Sequence, residues 1–223
     1  MRIAVLGGGH GCYAAAADLS EAGHEVRLWR RDAHALQPLV DAGAITLKDA
    51  AGTREVPIAL ATPDIRLAML DADLIVAPVP ATAQLDIARA MGPHLADGQV
   101  VFLPPGTFGS YMMAQAVRDA GHHADVAWAE TGTLPYLARK HGPREVNLTV
   151  RAIRLPTGVY PHRASSHALA VIRQAYPAVH DGGDALSGAL MNAGPVIHPP
   201  LMVMNAAPLQ HFERWDIHNE GTQ

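Results

Sequence analysis

The chain has 223 residues, 49% of them hydrophobic, enough to bury one α/β core and to begin a second domain. Its formal charge of -4, with no run of lysine or arginine longer than two, provides no basic field for a phosphate backbone and argues against nucleic acid. A lone cysteine, the lack of a charged-then-apolar leader and the lack of an apolar stretch of roughly 18 residues argue against disulfides, export and membrane insertion, so a cytoplasmic location is expected.

Short β-branched runs alternate with alanine-rich stretches, the pattern of strand-helix-strand units in an α/β, doubly wound parallel sheet of Rossmann type. RIAVL at 2–6 predicts the first strand, and a helix is expected over 11–22. Between them stands Gly7-Gly8-Gly9-His10-Gly11-Cys12. In that context Gly7 makes the tight turn, Gly9 admits a pyrophosphate, and Cys12 takes the third small position of a dinucleotide-binding loop. Backbone amides at His10 and Gly11, with the helix dipole, then bind the phosphates. Cys12 reads as a packing thiol between helix and sheet ahead of a reactive one.

EVRLW at 25–29 predicts the second strand, whose carboxyl end faces the adenosine ribose. An acid there accepts hydrogen bonds from a free 2′-hydroxyl, but this chain has Arg30 and Arg31. A guanidinium pairs with a 2′-phosphate, so NADP(H) is preferred, with NAD(H) as the rival. A helix is expected over 32–42 and a small hairpin over 44–60 that turns near Gly52. The next strand, 73–77, runs into a loop where Val79 and Pro80 approach the cofactor, ahead of a helix over 82–92.

The strand at 99–103 leads into PPGTFGS (104–110) and a helix over 109–120. Thr107 and nearby amides can receive a substrate carboxylate, although an ordinary strand-to-helix turn accounts for these residues equally well. The strand at 125–129 delivers ETGTLPY (130–136), with Glu130 and Thr131, to the same sheet edge, and 146–155 predicts a further strand. Past Pro156 the sequence predicts a helix near 163–176, a turn at Gly182-Gly183 and an apolar helical run broken by Pro195, Pro199 and Pro200. Residues 1–160 are therefore expected to form the dinucleotide-binding domain. Residues 161–223 are expected to begin a truncated helical domain for substrate and dimerisation, with the chain stopping in mid-pattern.

By residue type alone, His198 is one of 13 histidines and by default a satisfied one. The prolines after it are expected to break the helix and hold it at an interdomain edge, where clefts form. Asn192 and Asn205 need partners within an apolar run; Asn192 is a substrate-binding candidate, with a structural hydrogen bond as the alternative. No metal site is expected, because His122, His123, His211 and His218 are joined by no cysteine or acid at ligand spacing.

The stretches AVLGGGHG, PPGTFGS, AETGTLPYLAR and LMNAGPVIHPPLMVMNA, taken in order, resemble the octopine/nopaline (opine) dehydrogenase family from residue 2 to about 221. Glycerol-3-phosphate dehydrogenase and ketopantoate reductase are similar in the first domain, but their catalytic lysine pattern is not visible here. The resemblance implies an NAD(P)-dependent oxidoreductase that reduces the imine formed from an amino acid and a 2-oxo acid. It implies His198 as general acid/base, Glu130 and Thr131 in the 2-oxo-acid site, and Thr107 in the loop lining it. Two other readings stay open: a 2-oxo-acid or ketone reductase, and a nucleotide-binding module without turnover. A homodimer is compatible with any of the three.

Overall fold

The computed structural model describes residues 1–217 and 219–221, with Pro195 described in its backbone only. It divides into two compact units, Met1–Met191 and Asn192–Gln223.

In the first unit, β1 (Arg2–Leu6) lies inside an eight-stranded sheet, third from one edge. β2 (Glu25–Trp29) and β5 (Leu60–Thr62) extend it on one side; β6 (Leu74–Val76), β7 (Val100–Leu103) and β8 (Ala127–Thr131) extend it on the other. These six strands are parallel, in the doubly wound order β5-β2-β1-β6-β7-β8. β1, β6 and β7 are buried on both faces, which explains their continuous apolar runs. The helices α1 (His10–Glu21), α2 (Ala33–Ala42), α4 (Ala81–Met91) and α5 (Gly109–Asp119) stand where the sequence predicts them, each within one residue at its start.

Four features differ from the sequence reading. The segment 146–155 is two strands, β10 (Glu145–Arg151) and β11 (Leu155–Tyr160), in different sheets. β11 runs antiparallel to β8, and β12 (Val179–Asp184) pairs parallel with β11 to close that edge. Gly182 and Gly183 therefore lie within a strand, not in a turn. A Cβ at Gly182 would fall 2.8 Å from the Thr157 nitrogen, so glycine is what admits this close backbone approach beside a register shift.

The second difference is another sheet. The expected hairpin forms as β3 (Ala44–Asp49) and β4 (Gly52–Pro57), but it joins β10 and β9 (Tyr136–His141) in the order β4-β3-β10-β9. This sheet packs on α1, and a chain of ion pairs ties the two together. Tyr136 Oη donates to Asp18 (3.0 Å), Arg151 bridges Asp18 (2.7 Å) and Asp49 (3.0 Å), and Arg54 links Asp49 (2.8 Å) to Glu21. The Asp49 side chain is only 5% exposed between its two arginines.

Third, the first compact unit ends at Met191 where the sequence reading ends it at 160. The reason is packing: α6 (Ser165–Ala175) lies against the sheet, and α7 (Ala185–Leu190) comes so close to β11 that a Cβ at Gly188 would meet the Gly158 nitrogen at 2.9 Å. Fourth, Pro199 and Pro200 do not break the second unit's α8 (Gly194–Met204), which is followed by α9 (Ala206–His211). Pro195 stands in the first turn, where a missing N–H has no helical acceptor to lose; Pro199 and Pro200 lie inside the helix, which continues through them at the cost of their N–H bonds, the φ of proline being itself helical. Among the described residues, no helix is long and apolar enough to cross a membrane.

Candidate cofactor and substrate cleft

The carboxyl ends of β1, β2, β6, β7 and β8 meet at one sheet edge, the place where open α/β sheets bind ligands. Two cavities lie there. One, about 430 Å³, is lined by Gly7, Gly9, Cys12, Arg30, Arg31, Val79 and Pro80 among others. The second, about 360 Å³, is lined by Gly9, His10, Gly11, Thr107, Tyr136 and Arg139 among others, and shares Gly9, Val79 and Pro80 with the first. A further cavity of about 450 Å³, beside Arg66 and Gln99, lies at the amino ends of β6 and β7 and is remote from this edge.

The glycine loop has the local geometry that a bound pyrophosphate requires. Gly7, with φ +123°, donates its N–H to the Trp29 carbonyl at 2.8 Å; a Cβ there would sit 2.8 Å from Cys12 Sγ and 2.9 Å from Val79 Cγ1. Gly9 caps α1 and has no atom within 4 Å of where its Cβ would stand, so backbone and helix N-terminus face open space. Cys12 is buried, its Sγ 3.6 Å from the Leu6 carbonyl, and burial pushes the thiol up to about 11. It is a packing residue.

At the end of β2, the Arg30 side chain crosses Gly8, where a Cβ would fall 2.7 Å from its Cδ, and donates to the Ala35 carbonyl at 3.3 Å. Among the described residues no carboxylate pairs with Arg30. Arg31 is exposed and reaches Asp86 at 4.0 Å, a separation at which a surface pair contributes little.

The turn after β7 is shaped from below. Thr107 (φ +57°) and Phe108 (φ +66°) are both left-handed, a conformation that costs non-glycine residues energy and must be held by the surroundings. Glu130 does this. Fully buried, its two oxygens accept from the Phe108 and Ser110 amides at 2.7 Å each. Burial pushes its carboxyl up, against the pull of Ser110 and Phe108. Gln84, also buried, donates to the Gly106 carbonyl at 2.8 Å, and Thr131 accepts from the Gly106 amide through its carbonyl at 3.1 Å while its hydroxyl donates to the Thr133 carbonyl. Thr107 thus lines the cavity, while Glu130 and Thr131 stand behind the turn that presents it.

Asn192 and His198 belong to the second unit. Asn192 Oδ1 accepts from the Gly194 amide at 2.9 Å near the start of α8, and His198 is exposed on that helix. His218 lies outside the described residues, and among the described residues no cluster of three or more His, Cys, Asp or Glu side chains could hold a metal.

Sequence reasoning left β9 unassigned, and so missed Tyr136, Arg139 and Lys140. The signal was present as alternation in YLARKH: Tyr136 and Ala138 are buried, Leu137 and Arg139 exposed. It was obscured because 130–136 reads as a loop and six residues are few for a period-2 pattern.

The model of the NAD-dependent glycerol-3-phosphate dehydrogenase N-terminus matches residues 2–104. An opine dehydrogenase from Arthrobacter sp. (strain 1C) is 31% identical over 222 residues, covering 98% of this chain and 61% of that protein. Octopine dehydrogenase in complex with NADH and agmatine superposes with a TM-score of 0.76 at 21% identity, over 96% of this chain and 56% of that one. NADP+-bound yersinopine dehydrogenase does so with a TM-score of 0.76 at 17% identity, over 100% and 58%. The chain is therefore similar to an opine dehydrogenase in sequence and to two others in fold, and spans about three-fifths of that relative's length.

Proposed function

We propose that this chain, a relative of opine dehydrogenases, is the NADP(H)-binding part of an oxidoreductase that reduces the imine formed between an amino acid and a 2-oxo acid. The observation that carries the reading is the meeting of the two cavities at Gly9, one running to Arg30 and the other to Thr107. The residues present fit a nicotinamide dinucleotide: an unobstructed helix N-terminus takes the pyrophosphate and an acid-free guanidinium the 2′-phosphate. When bound, the cofactor supplies the hydride.

The chain's own residues divide the remaining work. Gly7 makes the turn, Gly9, His10 and Gly11 hold the phosphates, and Val79 and Pro80 wall the cleft. The Thr107 turn, held from behind by Glu130 and Thr131, orients the carboxylate of the 2-oxo acid. His198 exchanges the proton that accompanies hydride transfer, a step suited to an imidazole near neutral pH, and Asn192 assists on the substrate side. NADP(H) is preferred because Arg30 stands where an acid would favour the free 2′-hydroxyl, and NAD(H) is the weaker partner. The deciding experiment follows NADPH oxidation with a 2-oxo acid, with and without an amino acid. Amino-acid-dependent turnover supports the proposal; turnover independent of it identifies a plain 2-oxo-acid reductase, and binding without turnover a nucleotide-binding module.

A further inference from the structure

β9 brings a second cation near Arg30, beside the glycine loop. The Lys140 amide donates to His10 Nδ1 at 2.8 Å, which fixes the strand against the first residue of α1 and thus against the glycine loop. From there the Lys140 side chain lies over the ring of Tyr13, with Nζ 4.3 Å from its centroid. Tyr13 is fully buried on α1, and Arg30 is the cation beside its hydroxyl. The Arg30 side chain lies over Gly8, its Cδ and Nε each 2.7 Å from where a Cβ would stand.

Two cations thus flank one tyrosine beside the glycine loop, and among the described residues no carboxylate lies in ion-pair range of either. Burial, and then the Arg30 charge, push the Lys140 amine below its ordinary value. Juxtaposed like charges of this kind are costly alone and are relieved by an anion. Arg139, the preceding residue, is exposed and lines the other cavity, so alternation along β9 sends its neighbour to the α1 side.

We propose that Lys140 is a specificity-determining residue for the cofactor, its amine joining Arg30 around the 2′-phosphate of NADP(H). The inference rests on the NADP(H) reading above and adds a residue from a different sheet. A lysine suits the place because its ammonium is a compact charge on a flexible stem, able to leave the tyrosine face for a dianionic phosphate, while Arg30 provides the planar fork.

The test is calorimetric titration of the 223-residue chain and its Lys140→Met, Lys140→Arg and Arg30→Ala variants with NADPH and NADH, with thermal melts alongside. Lys140→Met is expected to weaken NADPH binding about tenfold and leave NADH within about twofold, with Lys140→Arg restoring most of the loss. If Lys140→Met leaves both affinities unchanged while Arg30→Ala weakens NADPH selectively, the NADP(H) reading stands and the role of Lys140 is wrong. Equal weakening of both cofactors, or a lowered melting temperature with an unchanged NADPH/NADH ratio, makes Lys140 a packing residue and also overturns the proposal. If the unmodified chain does not prefer NADPH, both fall together.

Discussion

Gly7 and Gly9 are two residues apart and should fail in opposite ways. A Cβ at Gly9 would meet nothing within 4 Å, and the φ of -83° there suits any residue, so Gly9→Val should fold, with a nearly unchanged melting temperature, but bind no NADPH because its side chain occupies the pyrophosphate approach. Gly7→Ala combines φ +123° with contacts under 3 Å to Cys12 and Val79, and should cost about 1–3 kcal/mol of stability. Denaturant titration and cofactor binding separate the two; a Gly9 variant that still binds tightly would remove the glycine loop from the account. Arg30→Asp should weaken NADPH by roughly ten- to a hundredfold and NADH far less, because a hydrogen bond to a charged group contributes about 1.5–3 kcal/mol. Equal losses for both cofactors would show that Arg30 does not read the 2′-phosphate. Cys12, with its thiol held up to about 11 by burial, should resist alkylation at pH 8 in the folded chain and react on unfolding. Rapid native labelling would contradict the packing role.

At the scale of elements, the second sheet makes its own prediction. Arg54 and Arg151 hold the Asp49 carboxyl well below the usual carboxylate range, the bond to Arg54 being the leading cause. A depressed carboxylate stabilises the fold above its unfolded pKa of about 4, and that contribution is lost as pH falls through the lower folded value. The melting temperature should therefore fall steeply below about pH 4. Asp49→Asn should lower stability at neutral pH and flatten that acid limb; identical acid limbs for both proteins would mean that the ion-pair chain does not tie the sheet to α1. The parallel core strands other than β5, which begins where the expected hairpin was drawn to end, were legible in the sequence with the helices α1, α2, α4 and α5, because β-branched runs and alanine-rich helices alternate cleanly there. The second sheet was not, since β10 pairs with β3 across about a hundred residues, and no local pattern records that pairing. For the same reason the run at 146–155 read as one strand. Pro199 and Pro200 misled in the other direction: they lie inside α8, and the helix runs on through them although each removes an N–H from the i→i−4 ladder.

At the scale of the whole molecule, the glycine loop, Arg30 and the Thr107 turn could be placed at one sheet edge from the sequence, because parallel strands end on the same side. The supporting role of Glu130 could not: the family resemblance implies a place in the 2-oxo-acid site, and its hold on the turn is seen only in its two bonds to the Phe108 and Ser110 amides. Nor could Lys140, whose place depends on the second sheet. The cleft around Gly9 is proposed as a cofactor site whose ribose end takes a phosphate. Calorimetric titration of the unmodified chain with NADPH and with NADH tests this most directly. One saturable site per chain is expected, with NADPH bound at least about tenfold more tightly. Absence of binding, or NADH bound as tightly as NADPH, would contradict it.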